Sequence, residues 1–333
     1  MNSRAVRIAV SILISVVFLY IAASGVNWNE AYEALKTAHY AWTVPILIVT
    51  VLQIYVRAIR WRVLLRPIGQ PRMRSIVAAN NIGFMANFIL PLRAGEVIRP
   101  VLLSRRENIP LGGVLATNLI ERIFDMFTIL LLFGVCAVAL PISEQVRTWG
   151  LRLVVLAVLI AGGVVFIRWQ ERLATRLLDW VAGFLPHKIG DGLKHFFAGF
   201  VQALRVLDSP AAFFAITAWS IVTWLVVSFI FGFGIWMFDL PAPFPLGQIC
   251  VAALVAIAVS APSAPGFIGA FQLGCQISLG LFGVEESRAF AYGIALHVTQ
   301  FVAVIGAGLY SLAREGISLK QVEEVSHEDG AAA

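Results

Sequence analysis

Two unbroken apolar runs, Ile8 to Ala23 and Phe213 to Phe238, decide the class of fold before anything else is read. Runs of this length without a charge belong in lipid, where every backbone amide must find its partner within the protein, and a helix satisfies its own. A transmembrane barrel would instead alternate apolar and polar residues in segments of about ten, so a barrel is excluded. The balance of the chain agrees, with 59% hydrophobic and only 13% charged residues, where a soluble domain carries about 25% charged. The expected fold is an all-α polytopic membrane protein. It has about six full spans plus two re-entrant broken-helix hairpins, so about eight apolar segments by hydropathy.

Charge then orients the spans. The net charge of +6 gathers in loops that flank apolar runs, a pattern of membrane topology rather than of a nucleic-acid surface. The first span covers roughly Val6 to Gly25. Its start, MNSRAVR, and the Ala-Ala-Ser at 22 to 24 resemble a secretory signal, but the apolar run is long for one and reads as an uncleaved span. Arg57 to Arg74 holds six arginines and no acid, so this loop and both termini are expected to be cytoplasmic. Span two ends near Arg60, where Arg57, Arg60 and Trp61 share a face. These arginines are either snorkelling anchors or phosphate contacts.

The stretch Asn80 to Asp125 is different. Its apolar part, Ile82 to Leu92, is too short to cross a bilayer core of about 30 Å and carries Asn80, Asn81 and Asn87. Arginines on both sides of Ser75 to Leu103 look cytoplasmic, so this segment is expected to be a re-entrant hairpin turning near Pro91; two short tilted spans are the alternative. Leu111 to Leu140 then carries Asn118, Glu121, Arg122 and Asp125 on one helical face. Such a group is either an internally neutralised structural cluster or a functional site, because charge inside a membrane is functional by default. Leu151 to Ile167 and Phe213 to Phe238 are further spans. Between them, residues 169–208 place Leu173, Leu177, Trp180, Val181 and Phe184 at helical spacing, as interfacial helices do, or serve as a docking site for a cytoplasmic enzyme. Residues 246–284 are interrupted by Pro262, Pro265, Gly266 and Gly269, which suggests a second re-entrant pair, open to the outside. Tyr292 to Leu312 is the last span, closing a transmembrane domain of residues 1–312, and 313–333 form a polar cytoplasmic tail. Two broken segments entering from opposite faces are how secondary transporters build a midplane site.

Chemistry of other kinds finds no support. Cys136, Cys250 and Cys275 stand alone in apolar runs, the five histidines form no HxxxH pair, and no Walker, GxSxG, HExxH or dinucleotide motif occurs. Neither a metal nor a cofactor is expected.

The series RAIRW, NNIGFMANFILPLRAGEVIRP, NLIERIFD and PSAPGFIGAFQ resembles the flippase-like family, also called the lysylphosphatidylglycerol synthase transmembrane-region family. The likeness runs from about Ile8 to Leu312. It implies an inner-membrane, multi-pass protein that moves lipids or lipid-linked precursors between leaflets. By that resemblance, Asn80, Asn87, Pro91, Arg93, Gly95 and Glu96 match one motif, Glu121, Arg122 and Asp125 a second, and Pro265, Gly266 and Gly269 a third. Gln272 stands where members often have glutamate, which puts a charge-dependent role there in doubt. The aminoacyl-transferring domain of lysyl-lipid synthases is not expected in this protein.

Together these readings point to a non-enzymatic flippase-like transporter. Its substrate is expected to be an anionic phospholipid or a polyprenyl-phosphate-linked lipid, moved without ATP hydrolysis. The head-group contacts expected are Arg57, Arg60, Asn80, Asn87, Arg93, Glu96, Arg99, Asn118, Glu121, Arg122, Asp125 and Gln272. Pro91, Gly95, Pro265, Gly266 and Gly269 are the expected hinges. A second reading is a subunit that presents lipid to a separate synthase or glycosyltransferase. A third is an intramembrane lipid-modifying enzyme using Glu121 or Asp125 as base.

Overall fold

The computed structural model describes residues 3–90, 93–140, 144–182, 184, 187–260 and 265–317, and no strand occurs among them. The protein is an all-helical polytopic membrane protein. Thirteen α-helices follow one another among the described residues: α1 (Ser3–Ser24), α2 (Trp28–Thr37), α3 (Thr43–Leu65), α4 (Met73–Ile89), α5 (Gly95–Glu107), α6 (Leu111–Ala139), α7 (Glu144–Trp169), α8 (Glu171–Ala182), α9 (His187–Leu204), α10 (Pro210–Met237), α11 (Leu246–Ser260), α12 (Ala270–Gly280) and α13 (Glu286–Glu315). Four helical stretches among them are long and apolar enough to cross a bilayer: Tyr40–Leu65, Leu111–Ala139, Pro210–Met237 and Glu286–Glu315. Helices α1 and α7, of 22 and 26 residues, also have spanning length. Their outer surface is greasy, with Tyr20, Val138, Leu159 and Phe214 all projecting from the protein. Such a surface is stable in lipid and not in water.

Local chemistry sets the helix ends. Ser209 accepts the Ala212 amide proton ahead of α10, and Pro210 occupies the first helical turn. Asn108 closes α5 in the left-handed conformation, and Gly316 does the same for α13.

Two pairs of helices are too short to cross. Helices α4 and α5, of 17 and 13 residues, pack against each other, as do α11 and α12, of 15 and 11 residues. At 1.5 Å per residue even α4 reaches only about 25 Å. The expected hairpins are therefore present as paired half-length helices; Pro91 itself lies outside the described residues. Between the arms of the first pair the backbones nearly touch, because a Cβ on Gly95 would overlap the Gly83 carbonyl and the Asn87 side chain. Gly95→Ala should thus destabilise the protein by about 1–3 kcal/mol, the usual cost of overpacking. A lowered thermal midpoint in detergent checks this. Gly134→Ala, whose added methyl would meet open space, is the control and should leave the midpoint unchanged or raised.

Two boundaries differ from expectation. Helix α13 begins at Glu286 rather than near Tyr292 and continues through Glu315, so it extends past both ends of the expected span. Residues 318–333 lie outside the described residues. Helix α2, capped by Asn27, was not foreseen in the loop after the first span.

The buried apolar residues form separate clusters. One gathers Ile46, Ile230, Phe231, Val251, Phe271 and Tyr292; another gathers Trp61, Leu64, Ile76, Val114, Ile120, Leu204 and Ile216. Along α10 these clusters are separated by the turn holding Ser220 and Trp224, and that level is polar.

Candidate functional site

Helix α6 supplies the acids. Glu121 and Asp125, one turn apart, are both buried, and Glu121 sits about 15 Å along the helix from its start. Two carboxylates at this depth persist only if cations and hydrogen-bond donors meet them. Arg60 of α3 bridges the two, with Nη2 3.0 Å from Glu121 Oε1 and Nη1 2.6 Å from Asp125 Oδ1. Arg57, one turn earlier, places Nη1 3.3 Å from Asp125 Oδ2. From α5, Arg99 Nη2 lies 2.7 Å from Glu121 Oε2 and also donates to Asn118 Oδ1. Arg122 reaches Glu121 Oε1 at 3.0 Å and Asp125 Oδ2 at 3.5 Å, with its other terminal nitrogen 3.9 Å from Glu96.

Neutral groups complete the cluster. Trp224 Nε1 donates to Asp125 Oδ1 at 2.9 Å, and Arg60 Nη1 donates to Ser220 Oγ at 3.0 Å. The Arg99 guanidinium lies 4.2 Å above the Trp61 ring, whose Nε1 donates to Thr117 Oγ1. Asn118 Nδ2 donates to the Glu96 carbonyl, tying α6 to the start of α5.

The arginines divide into two groups. Arg60 and Arg99 are sealed behind the carboxylates, at 0% and 4% exposure. Arg57, Arg93 and Arg122 instead line a cleft of about 450 Å³ together with Glu96 and Asn87. Among the described residues four guanidiniums (57, 60, 99, 122) face three carboxylates (96, 121, 125), one positive charge in excess, and Arg93 stands at the same cleft. The remaining wall is apolar: Met126, Ile129, Leu130, Leu156 and Ile257, with Phe84 and Trp224 nearer the charges. This cavity has a cationic end and an oily end. Guanidiniums bind a phosphate in bidentate fashion, and an alkyl chain fits the other wall.

The tips of the two short hairpins meet at the floor of this cleft. Arg93, at φ 53°, donates to the Val259 carbonyl at the end of α11, and its guanidinium lies 5.3 Å from the centre of the Phe267 ring. Phe267 is itself left-handed at φ 60°, next to Gly266 at φ 69°, and packs edge-on against Phe88 of α4. Both tips thus hold a non-glycine residue in a conformation that costs about 1–3 kcal/mol unless the surroundings impose it.

Comparison with known proteins places this architecture. The sequence pattern of the lysylphosphatidylglycerol synthase transmembrane region matches residues 8–308. The chain belongs to that family. Among its curated relatives is a Haloferax volcanii protein named glycosyltransferase AglD, 25% identical over 98% of this chain and 57% of that protein. The chain therefore spans little more than half the length of that relative. A UPF0104 membrane protein of Methanothermobacter thermautotrophicus is 24% identical over 76% of this chain and 77% of its own length. No solved structure matches the chain.

Of the residues singled out in this family member, Arg57, Arg60, Arg93, Asn87, Glu96, Arg99, Asn118, Glu121, Arg122 and Asp125 gather at the cluster and its cleft. Asn80 and Gln272 do not. Asn80 is wholly buried on α4 with neither amide atom hydrogen-bonded, and it does not line the cleft. Gln272 caps α12, accepting the Gly269 amide proton at 2.8 Å and placing Nε2 3.0 Å from His297 Nδ1. Gln272 thus has a helix-capping role, which needs no charge. Gly266 and Gly269, at φ 69° and 85°, occupy conformations that side chains resist. Trp224 and Ser220 contact the cluster and were missed by sequence reading, whereas Trp61 was placed on the face of Arg57 and Arg60 without a role. Ser220, Thr223 and Ser228, polar within an otherwise apolar span, were the available signal.

Proposed function

We propose that this protein moves an anionic lipid between leaflets of the cytoplasmic membrane, without ATP hydrolysis and without chemically altering the lipid. The carrying observation is the cleft itself, which sets Arg57, Arg93 and Arg122 at one end and an apolar wall of α6, α7 and α11 residues at the other. A phosphate head group, on a glycerophospholipid or a polyprenyl chain, meets the guanidiniums while its tails stay against the apolar wall and the bilayer. The hairpins enter from opposite membrane faces and their tips meet below the cleft, so the head group passes between them. Helices α8 and α9 lie along the cytoplasmic interface, where Leu173, Leu177, Trp180 and Phe184, all exposed in the protein alone, enter the lipid.

The test is leaflet exchange of fluorescent phosphatidylglycerol, phosphatidylcholine and a polyprenyl phosphate in liposomes containing only this protein. Faster exchange of the anionic lipids supports the reading; a folded protein that exchanges none of the three overturns it. A second reading rests on the glycosyltransferase name of the longer Haloferax relative: the chain presents a lipid to a separate synthase. Co-purification of such an enzyme, with no exchange by the pure protein, favours it.

A further inference from the structure

A second cavity, of about 510 Å³, opens between α4, α5 and the end of α13, and it shares no lining residue with the cleft. Its mouth is basic and its depth is apolar. Arg72, Arg105 and Arg106 stand at the rim, while Ala78, Ala79, Ile82 and Leu102 line the interior. Ser75, Ala78, Ala79 and Ile82 recur at the three- and four-residue spacing of one helical face. From Arg72 to Ile82 the cavity follows α4 for about 15 Å.

Arg74 adds a fourth cation to this region, where two carboxylates, Glu107 and Glu315, stand among the described residues. Glu107 pairs with Arg72 at 3.1 Å and accepts the Ser75 hydroxyl proton. Glu315 pairs with Arg74 at 3.5 Å and with Arg106. The side chain of Glu315 is only 6% exposed, so a carboxylate from the end of α13 already occupies an anion position at the rim. Among the described residues arginines outnumber carboxylates at this rim, and burial together with the Arg74 and Arg72 guanidiniums pushes the Arg106 pKa down from its usual value.

We infer that this cavity binds the phosphate of an anionic membrane lipid from the cytoplasmic leaflet, with head group on Arg72, Arg105 and Arg106 and one acyl chain against Ala78, Ala79, Ile82 and Leu102. A soluble phosphate would have no use for the apolar depth, and a zwitterionic lipid would bring its own cation to a rim already rich in them. The site stands whether or not the protein moves lipids.

The experiment uses the full chain in phosphatidylcholine nanodiscs doped with a phosphatidic acid carrying a photoreactive acyl chain, with photoreactive phosphatidylcholine as the comparison. Crosslinks are mapped by peptide mass spectrometry. Phosphatidic acid should label α4 and α5 around Ala78, Ile82 and Leu102. The double variant Arg105→Gln with Arg106→Gln should lower that labelling roughly a hundredfold, the effect of losing two charge-assisted contacts. Glu315→Gln frees two guanidiniums and should raise it, a direction that a folding defect does not mimic. Arg122→Gln, at the other cleft, should leave it unchanged. Equal labelling by phosphatidylcholine, or no response to the arginine variants, overturns the inference. Loss of labelling in millimolar inorganic phosphate also overturns it, by assigning the rim to a soluble anion. Failed leaflet exchange with this labelling intact would sink the transport reading alone.

Discussion

Glu121→Ala should lower the stability of the protein by about 3–5 kcal/mol, the largest stability effect expected of a single change here. Its carboxylate lies within 4.0 Å of guanidinium nitrogens from Arg57, Arg60, Arg99 and Arg122. Removing it leaves those cations facing Asp125 and Glu96 alone, with Arg60 and Arg99 sealed from water. The lost attraction is not the main term; the dominant cost is buried charge that has no replacement solvent. Glu121→Gln, which preserves shape and an acceptor, should lose less. Thermal unfolding of both variants in detergent, followed by size exclusion, reads the effect. A midpoint for Glu121→Ala equal to that of the parent protein would mean that the cluster does not hold α3, α5 and α6 together.

Arg93→Gln combined with Arg122→Gln should instead leave the fold standing and remove transport. The Arg122 side chain is 40% exposed and Glu96 34%, so that pair is worth about 0–1 kcal/mol to stability; the buried Glu121 and Asp125, which Arg122 also meets, keep Arg57, Arg60 and Arg99 as counter-ions when it is removed. Arg93 and Arg122 both face the cleft. Each guanidinium contact to a phosphate is worth about 1.5–3 kcal/mol, and each 1.36 kcal/mol is tenfold in rate. The double variant should therefore exchange anionic lipid at least roughly a hundredfold more slowly, with an unfolding midpoint lowered less than that of Glu121→Ala. Arg122→Lys keeps the charge without the planar fork and should fall between. Dithionite quenching of labelled lipid in liposomes measures all three. Normal exchange by the double variant would move the head group away from this cleft.

These two predictions separate residues that the sequence treats alike. Periodicity put Glu121, Arg122 and Asp125 on one face and Arg57 beside Arg60, because spacing reports direction around a helix. Spacing does not report depth along a neighbour. Only packing reveals that Arg60 and Arg99 lie behind the carboxylates while Arg122, one residue from Glu121, reaches the cleft. The hairpins were legible because their arms are too short to cross and because Pro265, Gly266 and Gly269 interrupt the second apolar stretch. The tip contact between Arg93 and Phe267 was not, since it joins residues 174 positions apart and leaves no local pattern. Trp224 was hidden for a different reason: in an apolar span a tryptophan reads as lipid-facing bulk, and its indole proton acquires meaning only beside Asp125.

The near-contact of Gly83 and Gly95 has a mechanical consequence. At this contact the Gly83 carbonyl fills the space beside Gly95, with Asn87 and Arg99 packed next to it, so sliding or shearing one arm past the other would drive backbone into overlap. Any large displacement must carry α4 and α5 as one rigid lever. Its pivots are then the short joints at either end, residues 66–72 and the turn at Asn108, Ile109 and Pro110. The load at the far end of that lever is Arg93, so a small rotation at the pivots is felt there as a large excursion of charge.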